Sequence, residues 1–367
     1  MRSKIIVMTV ALALALALVA LFKSGNPSRT RVEPPAPANP LTAQREARLR
    51  SPAPLATAFD PVEPATNAPV ATNLYARLVN GDIPHVSLEQ LETYLAQNKR
   101  SVEALLGALR ASGDDSLLAE AKAKFPNDPR VQFAAAFKTD SPEERRQWLE
   151  KFKQSDPDNA LANYLLAGDH FKSGLAEQAL QEIAAAAAKP GMKNYLLDFV
   201  QNAEEAYVAS GMSGDTAKAI AATSALLPEL ASLKQVGVDL VELAKRYQQA
   251  GDGTSARTAL EMGLNLGHRL GEPPQTTLIQ ELVGMAIERQ ALSAMDPSLP
   301  YDQTGQTAQN QLDALAARRK AFQQLTSKSD AILMNMSDQD LAHYFDRLKL
   351  QGEAAALRWV ISKGPLP

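Results

Sequence analysis

The sequence predicts an all-α fold built from paired helices, and three observations predict it. Apolar residues recur at three- and four-residue spacing, as in Leu161, Tyr164, Leu165 and Gly168, which places them on one face of a helix. Helix-start signals precede these runs and glycine turns interrupt them at recurring intervals. After Asn73 the commonest residues are the good helix formers Ala, Leu, Gln, Glu and Lys, and no stretch alternates long enough to argue for a sheet.

The chain opens with Arg2 and Lys4, followed by an apolar run from Ile5 to Phe22 that Lys23 closes. As a helix this run spans about 27 Å, close to the hydrocarbon thickness of a bilayer, so residues 1–23 read as a membrane anchor. A cleaved signal peptide has the same basic start and apolar centre. The stretch Leu18 to Lys23 lacks a small-x-small cleavage site, which favours an uncleaved signal anchor. Arg2 and Lys4 precede the span while Lys23, Arg29 and Arg31 follow it, so the positive-inside rule is nearly balanced. The short basic leader points to a bulk on the periplasmic or extracellular side. From Ser24 to Thr72 the composition shifts: ten of the 23 prolines fall between Pro27 and Pro69. Proline removes backbone donors and disfavours helix in the residue before it, so residues 24–72 read as a disordered linker. Fully extended it would reach roughly 150 Å, and as a coil roughly 40 Å.

After the linker the helix signals come in order. Ser87 with Gln90 reads as a capping box before Leu91, Tyr94 and Leu95, and Ser101 precedes Val102, Leu105, Leu106 and Leu109. Ser141-Pro142-Glu143-Glu144 combines a cap, a first-turn proline and a glutamate expected to reach back to the cap amide. Asp128-Pro129 and Asp156-Pro157 bracket a hairpin of 28 residues without a glycine turn. Further on, Leu243-Ala244, Tyr247, Gly251-Asp252, Ala256, Leu260 and Gly263 make a fuller unit. A second holds Leu166-Ala167, Gly174, Ala179, Ile183 and Ala186, with His170 at the aromatic position and Phe171 one place on. A third holds Tyr207, Gly211, Asp215 and Ala219. This pattern resembles the tetratricopeptide repeat (TPR), specifically over about 110 residues from near Asp156 to Gly267. The turn glycines Gly174, Gly211 and Gly251 are 37 and 40 residues apart, against about 34 in the family, so the repeats are degenerate. The resemblance implies a right-handed α-solenoid over residues 73–270. Beyond it the pattern is lost, and residues 271–367 read as a C-terminal helical cap with helices over Thr276–Met295, Ala308–Leu325, Asp338–Leu350 and Glu353–Ser362. Gly284 reads as a close helix contact and Trp359 as a packing anchor.

Composition excludes several chemistries. With no cysteine there is no disulfide framework, thiolate metal site, cysteine nucleophile or lipid-modified cysteine. A net charge of −3 supplies no cationic field for nucleic acid, and Arg318-Arg319-Lys320 reads as a solvated helix face. The histidines His85, His170, His268 and His343 are scattered, with no pair at metal-ligand spacing, and His170 reads as a core-edge residue. Gly251-Asp-Gly-Thr-Ser255 lacks the lysine of a phosphate loop, and no Gly-x-Ser-x-Gly elbow is present. Of the paired carboxylates, Asp114-Asp115 and Glu143-Glu144 fall at helix starts, where negative charge suits the dipole, while Glu204-Glu205 falls mid-helix. The sequence therefore points to no catalytic, cofactor-binding or metal site. The resemblance implies a non-enzymatic scaffold that holds a protein or peptide partner near the membrane, with residues 5–22 in the bilayer and self-association possible. Two other classes stay open: an envelope glycan hydrolase or lyase with carboxylates in a helical cleft, and an oligomerising spacer.

Overall fold

The computed structural model describes residues 73–79, 84, 86–272, 277–300 and 305–364. The anchor expected over 1–23 and the linker over 24–72 lie outside the described residues, as does His85. Among the described residues the fold is all-helical. Sixteen α-helices account for it, with isolated bridges at Asn159–Gly191 and Pro300–Thr307 in place of strands. No helix among them is long and apolar enough to cross a membrane.

The first helices run α1 (Leu74–Val79), α2 (Leu88–Gln97), α3 (Val102–Ser112), α4 (Asp115–Lys124), α5 (Pro129–Lys138) and α6 (Pro142–Ser155). Hairpins follow: α7 (Leu161–Lys172) with α8 (Ala176–Ala187), α9 (Leu196–Ala209) with α10 (Gly214–Thr223), and α11 (Glu229–Gln249) with α12 (Gly253–Leu270). The chain ends in α13 (Leu278–Ser293), α14 (Ala308–Leu333), α15 (Asp338–Gln351) and α16 (Glu353–Lys363).

Side chains at the starts decide where helices begin. Ser87 and Gln90 form the reciprocal capping box, as do Thr277 and Gln280, and Ser101, Asp114, Asp128, Asp252, Thr307 and Ser337 accept from first-turn amides. At Ser141 only half of the expected box forms. The serine accepts from Glu144 N, but the Glu144 carboxylate accepts instead from Thr139 Oγ1 at 2.7 Å, Trp148 Nε1 at 3.1 Å and Lys122 Nζ at 3.2 Å. Three side-chain donors hold the carboxylate away from one exposed amide. The turn glycines Gly174, Gly211 and Gly251 all have left-handed φ, +74°, +99° and +79°, which an L side chain rarely adopts.

Helix α14 runs two turns past the expected end at Leu325. Thr326, Ser327, Ser329 and Asp330 have weak helix propensity, but the hydroxyls of Thr326 and Ser329 donate back to carbonyls three and four residues earlier. Ser329 is fully buried, so packing overrides propensity there.

The described residues belong to one compact unit. In an open stack of repeats each hairpin touches only its neighbours. Here α3 also packs on α9, α7 on α11, α10 on α15, and α1 on both α10 and α15. Followed through α13, α14 and α16, the helix contacts close on themselves. Small residues permit the tightest crossings. A Cβ on Gly284 would lie 2.5 Å from the Gly267 carbonyl oxygen, and one on Gly267 would lie 2.8 Å from that of Gly284. Gly284 thus marks the crossing of α12 and α13, as its place in the apolar pattern suggests. Trp359 is half-buried against the core with the Arg347 guanidinium 4.7 Å from its ring centre.

Candidate functional site

A cleft of about 510 Å³ opens where the chain passes from α8 to α9. One wall is the segment Pro190–Asp198; Arg269, Leu270, Glu272 and Gln280 supply the other. This volume falls in the range of ordinary ligand clefts, roughly 300–1,000 Å³.

From Pro190 to Tyr195, before α9 begins at Leu196, the wall is non-helical, and Asn159 holds it in place. Fully buried, it accepts from Leu161 N at 3.1 Å and Lys193 N at 2.9 Å through Oδ1, and donates from Nδ2 to Lys193 O at 2.9 Å. Ala160 N donates to Gly191 O at 2.8 Å. One amide side chain thus satisfies backbone groups on both sides of the turn. Asn194 then caps Leu196 N through Oδ1 and donates to Glu229 Oε1 at 2.7 Å.

Tyr195 stands next at φ +56°, ψ +20°, a left-handed conformation unusual for an aromatic residue. Two contacts hold it there. Its hydroxyl donates to Asp156 Oδ2 at 2.5 Å, and its ring meets Phe152, Phe133 and Phe199 at centroid distances of 5.9, 6.3 and 6.5 Å. Backbone strain of this kind persists only where its surroundings enforce it. Burial and the hydrogen bond to Asp156 push the Tyr195 hydroxyl pKa well up.

The opposite wall is anchored by Arg269, whose Nη2 donates to the carbonyls of Ala187 at 3.1 Å and Lys189 at 2.5 Å at the end of α8. Its Nη1 and the buried Tyr164 hydroxyl meet no hydrogen-bond partner among the described residues. Lys193, Asp198 and Glu272 are exposed at the rim, so the cleft carries both signs of charge around an apolar and amide floor.

Behind the wall lies a buried carboxyl group. Glu229 is 2% exposed, and burial pushes its carboxyl up to about 7, against a hydrogen bond from Asn194 and the attraction of Arg110. Desolvation in turn lowers Arg110 to about 10; its guanidinium sits 4.3 Å from the Phe199 ring centre.

A second cavity, about 20 Å³, lies beneath α1 and is lined by Tyr75, Thr223, Ser329, Asp330, Tyr344 and Glu353 among others. Desolvation raises the Asp330 carboxyl and pushes Glu353 up to about 7. This volume suits a single water molecule rather than a sugar ring.

The residues singled out in the sequence are dispersed. Asp114 caps α4, Glu143 and Glu144 occupy the first turn of α6, and Glu204 pairs with Lys349 of α15 while Glu205 is exposed. His268 pairs with Glu288, Nε2 to Oε2 at 3.1 Å, and that bond raises its pKa. His170 is half-buried in α7, and His343 is exposed on α15. No group of three potential metal ligands occurs among the described residues. Arg318 pairs with Glu281 at 2.6 Å, so the basic triplet is in part an inter-helix contact. Sequence reasoning missed Asn159, Tyr195 and Arg269; the signal that could have found the wall was Lys189-Pro-Gly-Met-Lys-Asn194, a break between two helical runs. Comparison with protein-family models, with curated proteins and with solved structures finds no match in any of the three.

Proposed function

We propose that the chain is a membrane-anchored, TPR-like scaffold that holds an extended segment of a partner protein in the cleft between Pro190–Asp198 and the end of α12. The observation that carries this reading is a cleft of about 510 Å³ with a wall fixed from behind by Asn159 and Tyr195. A preformed wall spends little entropy on ordering when a partner binds. The mixed charge of Lys193, Asp198, Arg269 and Glu272 suits a peptide backbone with polar side chains better than a polyanion. Support for the repeat reading comes from left-handed glycines at the three hairpin turns and from Ala179, Ala217 and Ala256, each buried as the fourth residue of its second helix. Support for the anchor is the apolar run Ile5–Phe22 alone, and with it the extracytoplasmic placement of the bulk.

The test is site-specific photo-crosslinking of the full chain in intact membranes, with the probe at Lys193 or Glu272 and a control probe at Lys138. A discrete adduct from both cleft positions and none from the control is the expected result, weakened by Asn159→Ala. Absence of an adduct at either cleft position overturns the cleft reading. An adduct of twice the chain mass shifts the partner to a second copy of this chain.

A further inference from the structure

Asn73 and the helix α1 that follows it are held by elements some 260 residues away in sequence. Asn73 Nδ2 donates to Leu333 O at 2.7 Å and to Met336 O at 2.8 Å, while its Oδ1 accepts from Ala76 N at 2.8 Å. Leu74 N donates to Asp338 Oδ1 at 3.0 Å. Leu74, Tyr75 and Leu78 are buried between α10 and α15, and Tyr75 roofs the cavity of about 20 Å³ whose other walls include Ser329, Asp330, Tyr344 and Glu353.

This arrangement differs from the rest of the core in three ways. An isolated helix of six residues is far below the length that sustains itself in water, about 12–15 residues, so α1 is helical only while seated. Its seat is made of three apolar side chains and a few hydrogen bonds, a small share of a core that spans the whole unit. The floor beneath it is polar. When α1 lifts, water reaches hydroxyl groups and carboxyl groups whose charged forms burial disfavours, and this hydration offsets part of the lost apolar contact.

We propose that Asn73–Leu78 is a detachable strap: it fills a helix-sized slot between α10 and α15, and lifts from it while the remaining helices stay folded. The strap directly follows the proline-rich stretch in sequence. Tension along a tether made of that stretch would reach the strap before any other helix. Local opening of this kind belongs to the low-stability end of a folded unit.

The absence of cysteine makes the strap testable in the full chain. Ser329→Cys places a unique thiol beneath the strap on α14, and Thr326→Cys is a second reporter on the same cavity. Ala167→Cys, fully buried in α7, reports a core site away from it. Under native conditions a small thiol reagent should label Ser329→Cys at least about tenfold faster than Ala167→Cys. Asn73→Ala, which removes both carbonyl bonds and the bond to Ala76, should speed labelling under the strap by roughly tenfold and leave Ala167→Cys within about twofold. Equal labelling of both sites at the rate of global unfolding, or no response of either cavity thiol to Asn73→Ala, overturns the strap. If Ser329→Cys does not fold, Thr326→Cys decides between the same outcomes.

Discussion

At the scale of single residues, Asn159 carries the largest local burden. Its side chain serves Leu161 N, Lys193 N and Lys193 O while fully buried. Asn159→Ala leaves these backbone groups to find water at the cost of opening the wall. Each stranded buried group costs roughly 1–3 kcal/mol, so the variant should lose about 3 kcal/mol or more in urea unfolding followed by tryptophan fluorescence. A loss under about 1 kcal/mol would show that the wall is not held from behind. Tyr195 poses the opposite problem, since its left-handed backbone is strained while its ring and hydroxyl are well used. Tyr195→Gly relieves the backbone and forfeits the ring; loss of a large, partly buried aromatic, about 3 kcal/mol, together with its hydrogen bond to Asp156, outweighs a strain of about 1–3 kcal/mol. The expected net result is destabilisation, read by thermal unfolding. A stabilised variant would mean that strain outweighs the aromatic cluster.

At the scale of helices, two glycines separate backbone conformation from packing. Gly174 lies at φ +74° with nothing within 4 Å of where its Cβ would be. Gly174→Ala therefore costs only the left-handed penalty, about 1 kcal/mol. Gly284 is helical, and its Cβ would press on the Gly267 carbonyl. Gly284→Ala forces α12 and α13 apart and should cost about 1–3 kcal/mol in spite of better helix propensity. Urea unfolding of the two variants side by side tests this, and a stabilised Gly284→Ala would show that the crossing is loose. The helices were legible in the sequence because short-range chemistry places them: caps at Ser87, Ser101 and Ser141, turn glycines at 174, 211 and 251, and apolar spacing between. The long-range pairings were not. Nothing in the local pattern says that Val102–Ser112 packs on Leu196–Ala209 or that Asn73 reaches Leu333, since those contacts depend on the path of the whole chain. The cleft was illegible for the same reason. Its wall reads as a mere turn until Asn159, from the loop before α7, and Arg269, from α12, arrive to fix it.

At the scale of the whole unit, buried acids set how stability follows pH. Glu229 and Glu353, both raised to about 7 from 4.5, hold a proton in the folded state that they release when unfolded between those values. The folded state binds more protons in this window, so stability falls as pH rises from about 4.5 to about 7. Each group contributes on the order of 3 kcal/mol to that fall. The pairing of His268 with Glu288, which raises the histidine, adds to it as pH rises through the folded-state value. Glu120 acts in the other direction. Its hydrogen bond from Arg100 lowers it to about 2, so its contribution is lost as pH falls from about 4.5. Both trends turn at the shared unfolded value of about 4.5, so maximum stability is expected near that pH rather than at neutrality. The double variant Glu229→Gln, Glu353→Gln keeps both side-chain shapes without the ionisation and should flatten the fall between pH 5 and 7 while leaving the acid limb unchanged. Urea midpoints across pH 3–8 measure this directly. A wild-type chain with equal midpoints at pH 5 and pH 7 would show that these carboxyls are hydrated in the folded state, and that the packing around Asn194 and Leu278 is more open than their hydrogen bonds imply.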